Sequence, residues 1–307
     1  MVRNVLQRLL QSILVLFGCA LMIFIMLRII PGNPIAVLMG EHADVEVIRR
    51  MTSEFGLDQP VIVQFFRYLG GALRGDFGTS YSFGRPVSSL MASAFVNTLI
   101  LALLAALFAW TIGMICGIIA AVKKNSIPDH LFMGFSLLGV SMPVFMAAML
   151  LQYFLAYKLK LFPISGTGSF SGFILPAVAL GWNSAGSVAR LVRSTLLEIL
   201  EEDYIDTARA KGRGQMGVLV LHALRNAMLP VITMMAIQLS GLLSGAVITE
   251  TVFSINGLGR LAVQAITGRD IPLLQGTVLF SVAVVIIGNF LADSLYNVLD
   301  PRIRRGG

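Results

Sequence analysis

Residues able to do chemistry are few in this sequence, and their spacing argues against catalysis. An enzyme needs a nucleophile with its base, or a metal, held in a dry site. The three histidines, His42, His130 and His222, are far apart and fall outside the long apolar runs. No Ser–His pair, His-Glu-x-x-His word or Cys-x-x-Cys word is present. Cys19 and Cys116 lie inside apolar runs and read as small hydrophobes, not as a disulfide or metal ligands. No phosphate-cradling Gly-x-x-x-x-Gly-Lys-Ser/Thr word occurs, so the chain holds no nucleotide in that manner. Ion-driven transport would want carboxylates at mid-membrane. Asp293 is the one candidate, and it reads as an interfacial carboxylate paired with a nearby arginine. Glu250 and Arg190 fall at the ends of apolar runs, where a long side chain reaches water.

The strongest pattern is instead a charged interruption, residues 201–230. Glu201, Glu202, Asp203 and Asp206 open it, and Arg209, Lys211, Arg213 and Arg225 follow. Acids first and bases last complement the partial charges at the two ends of a short helix. Tyr204, Ala208 and Lys211 share one face at i, i+4, i+7. Ala208, Ala210 and Gly212 are small enough for another surface to approach the backbone, and Gly212 is a natural helix stop.

Asp206-Thr207-Ala208-Arg209-Ala210-Lys211-Gly212 resembles the Glu-Ala-Ala-x-x-x-Gly loop of ATP-binding-cassette importer permeases. The continuation His222-Ala-Leu-Arg225-Asn226-Ala-Met-Leu-Pro230 resembles the dipeptide/oligopeptide/nickel branch of that family, as do Gly56-Leu-Asp-Gln-Pro60, Gly75-Asp-Phe-Gly78 and Asp300-Pro-Arg-Ile-Arg304. Asp206-Thr207 in place of Glu-Ala, and Arg225, depart from the broad pattern in the way that branch does.

The elements that must position this stretch are spans. The 307 residues are 56% apolar and 13% charged, with mean hydropathy +0.83. That composition belongs to several membrane crossings. The net charge of +7 is not a nucleic-acid signature, because no basic patch is interleaved with stacking aromatics. Attraction to anionic headgroups explains it better. A hydrocarbon core of about 30 Å takes roughly 20 residues per helix. Six runs of that size are expected: 9–30, 98–122, 131–155, 173–196, 226–248 and 273–295. The first, though preceded by Arg3 and Arg8, is too long for a cleaved signal and is expected to be retained. Residues 31–95 form an insertion with amphipathic helices near 45–55 and 61–73, split by Gly56 and Pro60. Residues 1–95 thus hold the first span and its insertion, and 96–307 a five-helix core with a charged loop at 197–225.

Pro143 should kink the third span. The fourth carries Gly181, Asn183, Ser184, Gly186 and Ser187, which suit close packing or a water-lined face. Ser141, Asn183, Ser187 and Gln238, with the kink at Pro143, are expected to line a translocation path or to hydrogen-bond neighbouring helices. Gly241 and Gly245 have the four-residue spacing of close helix approach. Placing both termini in the cytoplasm puts 13 of the 23 Lys and Arg there, and five of the rest fall in the long insertion, which the positive-inside rule discounts. The 201–225 loop then faces the cytoplasm.

The resemblance implies an all-α type I importer permease with six transmembrane helices in a bacterial or archaeal cytoplasmic membrane. It implies pairing with a second, homologous permease subunit, two ATPase subunits that bind ATP and Mg, and an extracytoplasmic substrate-binding protein. The chain itself is then no enzyme and binds no cofactor. By the same resemblance Asp203, Tyr204, Asp206, Thr207, Ala208, Arg209, Ala210, Lys211 and Gly212 form a coupling helix that docks in an ATPase groove. Di- or oligopeptides are the expected cargo. Nickel or a metal chelate is the alternative within the family, and an ion-coupled transporter the one outside it.

Overall fold

The computed structural model describes residues 2–29, 45–54, 56–166 and 168–299. Their regular structure is helical: α1 (Val2–Ile29), α2 (Val45–Glu54), α3 (Val61–Leu73), α4 (Val87–Val122), α5 (Ile127–Ser141), α6 (Val144–Leu151), α7 (Ile174–Leu200), α8 (Asp203–Ala210), α9 (Gln215–Val218), α10 (Arg225–Val252), α11 (Leu258–Thr267) and α12 (Ile271–Leu299). A π-helical turn, Gln152–Lys158, extends α6, and another, Leu219–Leu224, joins α9 to α10. Five helical runs among the described residues are long and apolar enough to cross a membrane, or six if one sharply bent pair counts as a single span.

That pair is the third expected span. It is not a kinked rod but two helices, α5 and α6, bent by 112°. Met142 and Pro143 take extended backbone angles at the break. Pro143 has no N–H to offer the preceding turn, so the carbonyls ending α5 must find other donors. Two further expectations move. Helix α4 starts at Val87, eleven residues before the expected span, and its 36 residues exceed what the hydrocarbon alone requires. The fifth run starts at Gln215, so His222 and Arg225 sit on an apolar helical run and not in the preceding loop.

The chain divides into two compact units. The first gathers residues 1–98 and 256–286. Its core sets Val87, Leu90, Met91 and Ala94 against Leu258, Leu261, Ala265 and Leu273. Asp270, buried at the start of α12, accepts hydrogen bonds from the Ser80 hydroxyl, the Ser82 N–H and the Leu273 N–H. It thereby caps the helix and pins the 76–86 loop. Thr98 Oγ1 accepts from Leu258 N at 2.8 Å and does the same for α11.

The second unit holds residues 99–255 and 287–307. Its centre is α7, twelve of whose residues are buried. Gly186 lies so close to α5 that a Cβ there would stand 2.4 Å from the Ser136 carbonyl oxygen. A Cβ on Gly181 would stand 2.6 Å from the Ala105 carbonyl oxygen. The α7 glycines serve close packing. Gly241, by contrast, has nothing within 4 Å of its Cβ position, so the Gly241/Gly245 spacing makes no close approach at its first member.

Candidate functional site

Helix α8 sits where the charged stretch places it, and the described geometry explains how it is held. Glu202 precedes it with an extended backbone, and Asp203 and Asp206 occupy its first turn, near the positive end of the peptide dipoles. Ile205 and Ala208 point inward and are buried, at 0% and 7% exposure. They pack with Val192 and Leu196 of α7, Val218 of α9, and Leu219 and Ala223. The helix ends as expected at Gly212, whose φ of +79° places it in the left-handed region that glycine adopts without strain. Its N–H donates to the Arg209 carbonyl at 2.9 Å.

The expected common face of Tyr204, Ala208 and Lys211 is divided. Ala208 faces the chain's own core, so its small size is required from within. Tyr204 is exposed, and its hydroxyl accepts a 2.8 Å hydrogen bond from Asn226 Nδ2. Asp203, Asp206, Thr207, Arg209, Ala210 and Lys211 are all exposed. Asp206 and Arg209 pair across one turn at 2.8 Å. The outward surface therefore alternates charge around one small residue, Ala210.

The frame under α8 is braced by contacts that the local sequence pattern does not announce. Arg193 on α7 forms a two-pronged ion pair with Asp129 on α5, Nε to Oδ1 and Nη2 to Oδ2, both 2.7 Å. Asp129 Oδ2 also accepts the Asn125 N–H at 2.9 Å, and its side chain is 4% exposed. Ser126-x-x-Asp129 is a Ser-three-Asp spacing at a helix start, a signal that marks such an acid in the first turn. Lys124 reaches Glu201 at 3.0 Å on the surface. Glu250 also departs from expectation. It does not reach water from a span end but is fully buried. Asp293 lies outside the described side chains.

The expected path residues sort by partner. Asn183 Nδ2 donates to the Val140 carbonyl at 3.3 Å, at the break between α5 and α6. It thus satisfies one carbonyl freed there. Ser187 Oγ donates to the Asn183 carbonyl in its own helix. Gln238 Nε2 donates to the Ser184 carbonyl at 3.3 Å, joining α10 to α7. Gln238 Oε1 is buried and has no hydrogen-bond partner among the described residues. Ser141 and Pro143 are exposed at the break. Among the described residues no group of three or more His, Cys, Asp and Glu side chains stands ready for a metal ion.

The described residues form a polytopic all-α membrane protein in which a short charged helix, α8, follows the long helix α7. Residues 113–305 match the family described as "binding-protein-dependent transport system inner membrane component", and residues 1–115 its N-terminal companion. The chain is 43% identical over 305 residues to the glutathione transport system permease protein GsiC of Salmonella paratyphi A, with 99% of each chain covered. It is 41% identical over 305 residues to that of Escherichia coli (strain K12), again with 99% of each covered. Among solved structures it resembles the MetNI methionine ABC transporter in inward-facing conformations, at TM-score 0.58 and 20% identity, covering 69% of this chain and 96% of that one. It also resembles an amino acid ABC transporter solved with histidines, at TM-score 0.51 and 19% identity, covering 70% and 94%. The chain belongs to the binding-protein-dependent importer permeases of the ATP-binding-cassette class, in the dipeptide/oligopeptide branch. It is an inner-membrane transport subunit and not an enzyme. Importers of this class work with ATPase subunits, where nucleotide binds, and with a substrate-binding protein.

Proposed function

We propose that this subunit translocates short peptides of about glutathione size, delivered by an extracytoplasmic binding protein. The observation that carries this reading is identity above 40% across nearly the whole of both chains to permeases named for glutathione transport. Six spans are counted by taking α5 and α6 as one broken span, with both termini in the cytoplasm. The subunit pairs with a second, homologous but distinct permease subunit above two ATPase subunits that hold ATP and Mg.

In this reading α8 is the coupling helix. Its inner face, Ile205 and Ala208, is locked to α7 and α9. Its outer face, Asp203, Tyr204, Asp206, Thr207, Arg209, Ala210, Lys211 and the turn at Gly212, docks into an ATPase groove. Closure of the ATPases moves α8, and the apolar lock passes that motion to α7 as a rigid element with two arrangements. The path runs by the break at Ser141 and Pro143 and along Asn183, Ser187 and Gln238. The unpaired, buried Gln238 Oε1 supplies an acceptor for a peptide N–H.

Uptake by the complete importer in proteoliposomes tests the cargo. Labelled glutathione, a dipeptide and nickel are offered separately with the cognate binding protein. ATP-dependent uptake of glutathione or the dipeptide, with none of nickel, is expected. Nickel uptake without peptide uptake would overturn the assignment.

A further inference from the structure

The first unit contains a cavity of about 560 Å³ that the transport reading does not use. Its walls come from the end of α1, from α3, from the 76–81 loop and from the start of α12. Three guanidinium groups, those of Arg28, Arg67 and Arg74, line it against a single acid, Asp76. Asp76 Oδ1 already accepts the Gly78 N–H at 2.9 Å. Among the described residues, no acid forms an ion pair with any of the three arginines. The cavity is therefore strongly basic.

Its floor carries donors without acceptors. Gln275 is 6% exposed and lines the cavity, and its Nε2 has no hydrogen-bond partner among the described residues. Arg28 Nε is likewise buried and unpartnered. Arg28 is already oriented, because its Nη2 donates to Gln64 Oε1 and its guanidinium lies 5.0 Å from the Phe24 ring centroid. Gln64 is fixed in turn by donating to the carbonyls of Leu57 and Gln59. Buried donors that go unanswered each cost on the order of 1–3 kcal/mol, and a ligand rich in lone pairs recovers that. The phenols nearby stay protonated. Burial pushes Tyr68 up to about 12, and burial, with the Asp270 charge, pushes Tyr81 up as well.

The position of the cavity selects the ligand. Arg28 stands one residue from the end of an apolar helix of spanning length, Leu10–Ile29. Its guanidinium therefore lies at the edge of the hydrocarbon, whichever side of the membrane that edge faces. The same turns of α1 expose Met22, Met26 and Ile29, and α3 exposes Ile62 and Phe66, the last of which also lines the cavity. A cationic cavity with unpaired donors, bordered by bare apolar surface, fits a molecule with an anionic phosphate and acyl chains. We propose that this cavity binds the phosphate of an anionic phospholipid headgroup through Arg28, Arg67, Arg74 and Gln275. Guanidinium–phosphate pairs supply the strength and orientation, and the exposed apolar faces of α1 and α3 receive the chains.

Native mass spectrometry of the full chain in detergent tests this, with phosphatidylglycerol and phosphatidylcholine as probes. Phosphatidylglycerol should be retained in preference. The double variant Arg67→Gln, Arg74→Gln, on exposed positions that leave the core untouched, should retain it at least tenfold less, because the loss of one charge-assisted hydrogen bond already corresponds to about tenfold and the variant removes two guanidinium groups. Arg85→Gln, an exposed arginine of the same unit outside the cavity, should behave as wild type. Arg28→Gln, checked for an unchanged melting temperature, should lose retention as the double variant does. Competing inorganic phosphate separates the two sources of this anion. Lipid retention that resists it identifies a headgroup site, and displacement by it overturns the lipid assignment in favour of free phosphate. Equal retention of the two lipids, or equal retention by wild type and the double variant, overturns the site itself.

Discussion

Helix α8 and the α5–α6 break are both departures from straight spanning helices, yet they are held in opposite ways. Helix α8 is fastened by an apolar inner face, Ile205 and Ala208, and shows its charges outward. The break is fastened by polar groups, with Asn183 answering a carbonyl of α5, and presents Ser141 and Pro143 to the open side. An apolar lock has no direction and tolerates no extra volume. A single hydrogen bond to a freed carbonyl is directional and weak in membrane proteins, about 0.6 kcal/mol on average. The first arrangement suits transmitting a push, and the second suits a place that rearranges.

That contrast can be broken first at the frame beneath α8. Asp129→Ala strands the Arg193 guanidinium, whose side chain is 26% exposed; breaking a fully buried pair costs about 3–5 kcal/mol, and the water that reaches Arg193 brings the expected cost to the lower end of that range or below it. Melting of the detergent-solubilised chain should drop more for this variant than for any other described below. Arg193→Ala should match it, and the double variant should cost much less than the sum of the two. Additive losses would show that the two groups do not act as a pair.

Next comes the lock itself. Ala208→Trp forces a large ring against Val192, Leu196 and Val218, and overpacking of this kind costs about 1–3 kcal/mol. Increased protease cleavage across 201–214, with a lowered melting temperature, is the expected outcome. A variant as stable as wild type would mean that Ala208 does not face the core.

The break is softer. Asn183→Ala should cost about 0.6 kcal/mol, close to the limit of a melting experiment, but should alter transport. Uptake that changes while assembly is intact supports a moving element at Val140. Loss of assembly with no separate effect on uptake assigns Asn183 to packing.

Sidedness lies beneath the whole comparison. In a cysteine-free background, cysteines at Ser82 and Gly214 should label from opposite faces of the membrane. Labelling from one face would remove α8 from the ATPases.

How much of this was legible in the sequence depended on the kind of information each residue carries. Apolar runs and the Gly56/Pro60 and Gly212 punctuation are local, and the helices they announce form where expected, although α4 and the fifth run each begin eleven residues earlier than the apolar pattern alone marks. The inward turn of Ala208 was not legible, since a small residue at i+4 from Tyr204 suits an inner or an outer face equally. Its neighbours Val192 and Val218 come from the helices on either side, and the turns between them, not the spacing along the chain, decide which face meets them. Pro143 announced a bend but not its size, because 112° depends on extended angles at both Met142 and Pro143. The Asp129–Arg193 pair joins residues 64 apart, a distance at which charge alone selects no partner. Glu250 followed the rule that charge at a span end reaches water, and the rule failed because the helix continues to Val252 inside protein.

If the outer face of α8 couples this permease to ATP hydrolysis, as proposed, Ala210→Trp is the substitution that reaches the coupling surface without touching the core. Ala210 is exposed and next to the Arg209 that pairs with Asp206, so the substitution should shift stability by no more than about 0.5 kcal/mol. In the purified importer, binding-protein-stimulated ATPase activity and uptake should then separate, or the ATPase subunits should be lost, while the permease melts as wild type. ATPase rate, uptake and subunit retention all equal to wild type would contradict the claim and return residues 203–212 to an ordinary surface loop.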